Sequence, residues 1–227
     1  FKKLNNGKKL FLVTPLAPNV VEITKSIVNE AKKAGVSHIV KLSALGAGEN
    51  SAVDLIKWHK ECEKIIEESG IGYTHIRPNV FMQNFVNFHG KSIKEQNTFY
   101  TNADNGSVSF VDVRDIAAVA TRAFSFDEHK GKAYTVTGGE ALTYNQAAEA
   151  LSKVIGKKVA YVKIKDGDVK QGMEKQGMPD WMVNSFVELG RATKDGKMSV
   201  VTSDVEKVTG KKPRTFNGFA VDFAEKF

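Results

Sequence analysis

Short apolar runs alternate with amphipathic stretches over the first part of the chain. Leu10 to Val13 form a continuous apolar run, which is typical of a strand buried on both faces of a parallel sheet. Apolar residues then recur at helical spacing from Val20 to Ala31, and Gly35 marks the end of that helix. The same criteria predict three further elements: a strand over His38 to Ser43, a helix over Asp54 to Ser69 and a strand over Tyr73 to Arg77.

Strands and helices that alternate in this way, with short Gly-containing turns, indicate a parallel sheet with right-handed crossovers. We therefore predict an α/β fold with a doubly wound, Rossmann-like parallel sheet. An aromatic-rich segment from Phe81 to Phe88 is predicted to be a helix that buries one broad face. Three more elements complete this part of the chain: a short strand over Ser107 to Val111, a helix from about Val113 to Phe126 that Asp112 caps, and a strand over Ala133 to Val136.

The pattern changes to shorter helices near residue 140. Thr143-x-x-Gln146 is a capping box, and Gly156 ends the helix that it opens. The stretch from Met173 to Phe186 is predicted to be an irregular helical segment. These features predict a Rossmann-like domain over residues 1–140 and a small, mostly helical C-terminal lobe over residues 141–227, interleaved with the first domain.

Charge and composition narrow the classes of partner. The 227 residues include 33 basic and 26 acidic side chains, and the net charge of +7 favours anionic partners in general. The lysines come as scattered pairs, however, and no nucleic-acid-binding motif accompanies them, so we interpret them as a solvated surface. No apolar run approaches the roughly eighteen residues of a membrane span. Neither nucleic acid nor a membrane is therefore a predicted partner.

The chain has one cysteine, Cys62, so it contains no internal disulfide. Cys62 falls in the apolar stripe of the helix predicted over Asp54 to Ser69, where it is expected to face the core. A chain without disulfides suits a reducing compartment, and we predict a cytoplasmic location.

Candidate chemistry lies at a strand end and on the helix that follows it. Ser43 ends the predicted strand, and His59 and Glu63, four residues apart, share one face of the helix. The carboxylate is expected to favour the imidazolium form of His59, which could then protonate an oxygen or nitrogen of a substrate that receives hydride. The alternative is that His59 and Glu63 are a surface pair beside a packed Trp58. No metal ligand is predicted.

Six short motifs follow one another along nearly the whole chain. They are Thr14-Pro15, Lys41-Leu42-Ser43-Ala44-Leu45-Gly46-Ala47, Trp58-His59-x-x-x-Glu63, Arg77-Pro78-x-x-Phe81-Met82-x-Asn84, Phe110-Val111-Asp112-Val113-x-Asp115-Ile116-Ala117 and Thr209-Gly210-x-x-Pro213-Arg214-Thr215-Phe216. Their order and spacing resemble the NmrA-like branch of the atypical short-chain dehydrogenase/reductases. In short-chain dehydrogenases a Ser and a Tyr-x-x-x-Lys helix carry the chemistry, whereas several NmrA-like members have Trp-His-x-x-x-Glu on that helix.

The resemblance implies a bound nicotinamide dinucleotide, NADP or NAD with NADP favoured, and it implies roles for individual residues. The implied catalytic residues are His59, Glu63 and Ser43. The implied cofactor-binding residues are Thr14, Pro15 and Leu16 on the adenosine side, Leu42, Ser43 and Ala44 under the ribose and nicotinamide, and Pro78, Asn79, Val80 and Phe81 beside the nicotinamide ring. The implied substrate-facing residues are Trp58, Met82, Asn84 and Phe85, with Trp181 and Phe186 closing the site from the C-terminal lobe. For Phe85 and Phe88, whose spacing is helical, the alternative is a place in the core.

The family pattern opens with a strand, a Gly-x-x-Gly-x-x-Gly turn and a helix, and these 227 residues do not include that turn. Gly46-x-Gly48 is no substitute, because it lacks a third glycine and follows the wrong strand. Leu10 to Val13 looks like the fourth strand of the family and is too apolar for an exposed edge. We therefore expect the sequence to be either a fragment or a truncated gene product and favour a fragment, with roughly sixty or more residues of the family pattern unaccounted for.

Taken with the residues, the resemblance predicts an NAD(P)H-dependent reductase of a quinone-like, azo or other conjugated small molecule, with a proton from His59 or from solvent. Two alternatives stay open. Because the Tyr and Lys are absent, the chain could instead be a redox sensor that binds dinucleotide without turnover and acts through a protein partner. It could also bind no cofactor as it stands and serve as a structural or dimerisation remnant.

Overall fold

The computed structural model describes residues 8–227. Eight strands lie in that range: β1 (Lys9–Leu12), β2 (His38–Leu42), β3 (Gly72–Pro78), β4 (Thr98–Thr101), β5 (Ser107–Val108), β6 (Lys132–Val136), β7 (Leu142–Thr143) and β8 (Ala160–Lys163). The same residues form nine α-helices: α1 (Val20–Lys33), α2 (Asp54–Glu68), α3 (Gly90–Gln96), α4 (Val113–Ser125), α5 (Tyr144–Ile155), α6 (Asp166–Lys175), α7 (Asp180–Lys194), α8 (Asp204–Thr209) and α9 (Phe216–Asp222).

Two compact units are formed, each from several segments of the chain. The first unit takes the described residues up to Pro78 together with Ile116–Val136 and Asp204–Gly210. The second unit takes Asn79–Asp115, Thr137–Ser203 and Lys211–Phe227. The predicted domain boundary near residue 140 stays a prediction.

The first unit is built on a four-stranded sheet with the order β1-β2-β3-β6, in which every neighbouring pair is parallel. Leu10 lies opposite Ile39, and Ile39 lies opposite Tyr73. Because the strands are parallel, their carboxyl ends meet at one edge, which is where a sheet of this kind presents ligand-binding groups. The predicted α/β fold with a Rossmann-like parallel sheet is thereby confirmed.

Apolar side chains from this sheet and from α1 and α2 form the core of the first unit. The helices α1 and α2 pack against each other, and Thr24 Oγ1 lies 3.1 Å from Cys62 Sγ where they meet. Cys62 is fully buried, as predicted. The core cluster consists of Leu12, Val28, Ala31, Val36, Ile39, Ile66 and Ile71.

Aromatic rings form the core of the second unit. Phe85 is buried and meets three other buried rings edge-on, with centroids between 5.0 and 5.4 Å away. Edge-to-face contacts of this kind add to the stability that burial of the rings already gives. The three partner rings are Phe99, Phe110 and Phe216.

The segment from Phe81 to Phe88 differs from the single amphipathic helix that its pattern predicts. Phe85–His89 form a π-helical turn that leads directly into α3. A π turn rotates less per residue than an α turn, so residues three apart no longer share a face. Phe85 is consequently buried, whereas the side of the turn that carries Phe88 faces outward and leaves that residue 59% exposed.

Local signals at the ends of helices match the structure closely. The capping box of Thr143 and Gln146 is present, and Gly156 ends α5 in the left-handed conformation with a φ of 71°. The stretch from Met173 to Phe186 is divided between α6 and α7, because Gly177 takes a positive φ and Pro179 precedes the first turn of α7. No helix within residues 8–227 has the length and apolar character needed to cross a membrane.

A close backbone approach at Gly138 gives a test of the packing in the second unit. A Cβ at this position would overlap the carbonyl oxygen of Phe110, which cannot rotate away as a side chain could. Gly138→Ala is therefore expected to lower the free energy of unfolding by about 1–3 kcal/mol in urea titrations followed by circular dichroism. Gly167→Ala in α6 is the matched control, because no atom lies within 4 Å of its added Cβ. Equal stability of the two variants would contradict the packing described here.

Candidate active site

Polar side chains of the first unit gather at the carboxyl end of β2 and on the face of α2 that covers it. The pairing between β2 and β3 extends to Ser43, whose N–H donates to the Ile76 carbonyl at 2.7 Å. Spacings of three and four residues place His59, Cys62 and Glu63 on one face of α2. The sheet and the helix therefore fix the positions of these groups before any ligand is considered.

Lys41 lies in β2 beneath this face of α2, and its side chain is fully buried. Its Nζ donates to the Leu42 carbonyl at 3.0 Å and lies 2.9 Å from His59 Nδ1. Burying an ammonium group without hydrogen-bond acceptors is very unfavourable, so these two contacts are what allow the lysine to stay inside. His59 itself is half-buried.

Glu63 is paired with Arg77, which projects from β3. Arg77 Nε donates to Glu63 Oε1 at 3.0 Å, and Arg77 Nη2 donates to Glu63 Oε2 at 2.6 Å. Both carboxylate oxygens are thus engaged in a bidentate pair, the strongest geometry available to an arginine and a carboxylate. The Glu63 side chain is buried and the Arg77 side chain is partly exposed.

Glu63 raises the pKa of His59, as predicted, but it is not the group that orients the imidazole ring. A spacing of four residues places two side chains on one face of a helix, but it does not decide which partner each one takes from the sheet. In this structure His59 contacts Lys41 of β2, and Glu63 accepts hydrogen bonds from Arg77 of β3. The carboxylate therefore does not orient the imidazole ring.

The protonation state of His59 also differs from the predicted imidazolium. Burial and the neighbouring Lys41 ammonium lower the pKa of His59 to about 3, so the ring is neutral at pH 7. Burial lowers the pKa of Lys41 to about 8, against the opposite influence of Cys62 and Glu63, so most of the lysine is charged at pH 7. Burial acts to raise the pKa of Glu63, but hydrogen bonds from Arg77, aided by His75 and Ser43, hold it below its ordinary value.

Ser43 has an unusual hydroxyl group. Its Oγ is buried yet has no hydrogen-bond partner within ordinary limits among the described residues, although it lies near enough to Glu63 to favour the carboxylate form. A buried hydroxyl without a partner calls for an explanation. Its place at the end of a central parallel strand is the place at which a ligand supplies the missing partner in this fold class.

Two further groups surround the ion pair. The ligand atoms of Glu63, Glu67 and His75 lie within 4.8 Å of one another, a spacing at which a metal ion could in principle bind. Arg77 already donates to both oxygens of Glu63, however, so the cluster is held together by the guanidinium group.

Gly48 lies on the other side of Arg77, where an added Cβ would overlap the guanidinium group.

The residues predicted to lie along the adenosine side of the cofactor form an open apolar surface. Thr14, Pro15 and Leu16 follow β1, and Val13 and Leu16 are each 56% exposed. At the end of β2, Leu42 and Ala44 are half-buried on either side of Ser43. Exposed apolar side chains beside a hydroxyl that has no hydrogen bond of ordinary geometry match the mixed surface of a nucleotide, so the residues present in the first unit fit a dinucleotide.

In the second unit the predicted cofactor residues are placed differently. Asn79 is buried, and its Nδ2 donates to Ser109 Oγ and to the Met198 carbonyl at 2.7 and 2.8 Å. Its Oδ1 accepts from the Val80 N–H, so the side chain is committed to the protein itself. Val80 and Phe81 are half-buried. Their contacts with a cofactor stay predictions, as does that of Pro78, which belongs to the first unit and is buried at the end of β3.

The predicted substrate residues also fall into two groups. Met82 and Phe85 are buried in the second unit, which agrees with the alternative that Phe85 belongs to the core. Phe186 is partly exposed and meets Phe88 edge-on, with centroids 6.1 Å apart. The remaining predicted residues are half-buried, namely Trp58, Asn84 and Trp181.

Lys41 and Arg77 are the two site residues that the sequence analysis does not assign a role. Each stands inside a strand pattern, at Ile39-Val40-Lys41-Leu42 and at His75-Ile76-Arg77-Pro78. A charged residue within an otherwise apolar run is rarely buried unless it is paired. That interruption is the signal from which both positions could be found.

Comparisons with known proteins give one family and several relatives. The NmrA-like family model matches residues 2–220. The NAD(P)H azoreductase of Xenophilus azovorans is 38% identical over 224 residues, which cover 99% of this chain and 78% of that protein.

Solved structures of two reductases are also similar to this chain. The NADPH-dependent quinone oxidoreductase QOR2 of Escherichia coli, complexed with NADPH, has a TM-score of 0.86 and 27% identity over 95% of this chain and 76% of its own. The triphenylmethane reductase of Citrobacter sp., complexed with NADP(H), has a TM-score of 0.84 and 25% identity over 96% of this chain and 77% of its own.

The buried pair of Glu63 and Arg77 predicts a structural role for the carboxylate. Glu63→Gln leaves the guanidinium without its counter-charge and is expected to lower the free energy of unfolding by roughly 2–4 kcal/mol at pH 7. Because the folded-state pKa of Glu63 is depressed, the wild-type advantage is present above its ordinary pKa and is lost as the pH falls through the folded-state value. Urea unfolding at pH 7 and at low pH measures both effects.

Glu67→Gln serves as the matched control for Glu63→Gln. Glu67 is one turn further along α2 and its side chain is 41% exposed. Glutamine keeps an oxygen that can accept from His75 Nε2, so the substitution is expected to change stability by less than about 1 kcal/mol. If Glu63→Gln unfolds like the wild type at pH 7, the ion pair is not a major part of the stability of this unit.

Proposed function

This chain belongs to the NmrA-like family, and from that premise we propose that it is an NAD(P)H-dependent oxidoreductase that reduces a quinone-like, azo or other conjugated small molecule. The related NAD(P)H azoreductase and the two structurally similar reductases support this class of reaction. Their complexes with NADPH and NADP(H) favour NADP over NAD as the cofactor.

The cofactor is proposed to lie across the carboxyl ends of β1 and β2. Thr14, Pro15 and Leu16 would contact its adenosine side, and Leu42, Ser43 and Ala44 would lie under its ribose and nicotinamide. When bound, a reduced nicotinamide supplies the hydride for the reaction. The Ser43 hydroxyl supports this placement, because it is buried at the strand end without a hydrogen bond of ordinary geometry among the described residues.

One observation carries the proposed chemistry: a neutral, half-buried imidazole is held at Nδ1 by a buried ammonium group. An ammonium group only donates hydrogen bonds, so Nδ1 of His59 is the acceptor and the ring proton is on Nε2. His59 thus offers an N–H donor to the oxygen or nitrogen that gains negative charge when a conjugated substrate is reduced. Glu63 is proposed to hold α2 in place through Arg77 rather than to take part in proton transfer.

The partner of this site is proposed to be a small molecule. In the first unit, Trp58 on α2 is the residue proposed to contact the substrate. The second unit, taken by itself, has three proposed substrate residues, Asn84, Trp181 and Phe186. Met82 and Phe85 are left out of this proposal because both are buried. A cytoplasmic location is likewise a proposal, based on the reducing compartment that a single buried cysteine suits.

The test of this function replaces His59 by glutamine. His59→Gln removes the ionisable ring but keeps a polar side chain, and NADPH-dependent reduction of a benzoquinone or an azo dye is expected to slow by about 100-fold or more. Dissociation constants for NADPH, measured by fluorescence on the complete protein, are expected to change little, because the proposed cofactor contacts lie at the strand ends.

His38→Gln is the matched control for this test. His38 is a second histidine of the first unit, buried at the opposite end of β2, where its Nε2 lies 2.9 Å from Thr74 Oγ1. Its substitution is expected to leave turnover unchanged. Full turnover in His59→Gln would remove the imidazole from the mechanism, and absence of any NADPH-dependent reduction in the wild type would overturn the proposed function.

A further inference from the structure

Lys41 is a fully buried cation that the packing of the sheet does not require. The neighbouring positions of β2 are filled by Ile39, Val40 and Leu42, and an apolar side chain at position 41 would suit such a strand equally well. Instead the ammonium group lies inside the protein and directs one hydrogen bond to the backbone and one to His59. Burial of the charge is unfavourable, so its contact with the imidazole calls for a functional explanation.

Hydrogen-bond chemistry determines what this contact does to His59. The ammonium group has three donors and no acceptor, so His59 Nδ1 must accept. A neutral imidazole that accepts at Nδ1 carries its proton at Nε2. Without Lys41, both neutral tautomers would be available to the ring, and a part of the population would have no proton at Nε2 to give.

The same contact also provides a proton. When the neutral His59 ring gives its Nε2 proton to a substrate, it would become an imidazolate anion, which is too basic to form at neutral pH unless Nδ1 gains a proton at the same time. The Lys41 ammonium lies 2.9 Å from Nδ1 and can supply it. The bond from Nζ to its proton breaks, the bond from Nδ1 to that proton forms, and Lys41 is left as a neutral amine.

We propose that Lys41 is a positioning residue that fixes the Nε2–H tautomer of His59 and donates a proton to Nδ1 as His59 protonates the substrate. This inference rests on the proposed function. After product release, solvent protonates Nε2 and the Nδ1 proton returns to Lys41, so the ring and the lysine recover their starting states.

Among Lys41 and the titratable groups around it, Lys41 is the group whose pKa lies near neutral pH. Cys62 and Glu63 face it from α2, and His75 and Arg77 face the same region from β3. Burial raises the pKa of Cys62 and lowers the pKa of His75 to about 4. The pKa of Glu63 lies below its ordinary value, and hydrogen bonds to Glu63 raise the pKa of Arg77. Turnover is therefore expected to fall as the pH rises through about 8, where Lys41 loses its proton.

The first experiment observes His59 without any substrate or cofactor. Long-range ¹H–¹⁵N correlation spectra of the ring distinguish the Nε2–H from the Nδ1–H tautomer. In the wild type at pH 7 we expect the Nε2–H tautomer, with ring shifts that move as the pH is raised through about 8. A mixture of tautomers, or shifts that do not respond between pH 7 and 9, would overturn the inference even if turnover is high.

The second experiment compares two variants of Lys41 in the complete protein. Lys41→Met removes the charge and keeps the length of the side chain, so turnover is expected to fall roughly 10- to 100-fold, with loss of the alkaline decline and mixing of the tautomers. Lys41→Arg keeps a donor that does not release its proton, so it is expected to retain the Nε2–H tautomer without restoring turnover. Lys64→Met, an exposed position on α2, is the control that leaves turnover and the pH profile unchanged.

The two proposals fail in different ways. If His59→Gln is inactive while Lys41→Met keeps the wild-type rate, pH profile and tautomer, the inference about Lys41 is wrong and the proposed function stands. If His59→Gln is fully active, the catalytic assignment fails and the role of Lys41 fails with it. Should Lys41→Met not fold, the titration of the wild-type ring and the Lys41→Arg variant decide the question.

Discussion

The bidentate ion pair between Glu63 and Arg77 joins α2 to β3, and the geometry of the site depends on it. A buried carboxylate and a guanidinium group are stable in a protein interior only when they satisfy each other, so this pair restricts how α2 can rotate over the sheet. His59 lies one helical turn before Glu63 and is thereby held above β2. Its contact with Lys41 follows from that position.

Lys41 is the fully buried cation of this part of the first unit, whereas Arg77 is paired with Glu63 and also feels the carboxylates of Glu67 and Glu49. His59 stays neutral beside Lys41. A fixed positive charge in a weakly polar interior favours groups that become negative, because the surroundings need not reorganise when the charge appears. The Ser43 hydroxyl adds a further donor in the same region. The site is therefore suited to accept a pair of electrons into a neutral conjugated molecule.

Local sequence signals predicted most of the sheet and helix elements of the first unit. The Gly35 stop and the apolar stripe of α2 depend on residues close in sequence, and each has its counterpart in the structure. The run before Thr14 forms β1, but β1 is the edge strand of the described sheet and Phe11 is 45% exposed, so the predicted burial on both faces is wrong. The short strands β4 and β7 lack such a pattern. They exist because partners distant in the chain, β8 and β5, pair with them.

The hydrogen-bond partners of the charged residues could not be predicted from the sequence. Helical spacing placed His59 and Glu63 on one face correctly, yet their hydrogen bonds go to Lys41 and Arg77 of the sheet. Which strand residue lies under which helix residue depends on packing distances and strand register, and neither is encoded in a spacing along one helix. The buried location of Phe85 is similar, since it results from the π turn and from rings supplied by three distant segments.

Gly48 and Arg77 illustrate how such an arrangement constrains evolution. The guanidinium group fills the space that any side chain at position 48 would need, while its hydrogen bonds to Glu63 prevent it from moving aside. A substitution at position 48 is thus tolerated only in a background where position 77 has already become smaller. The two positions are expected to covary among descendants of this sequence, although twenty-eight residues separate them along the chain.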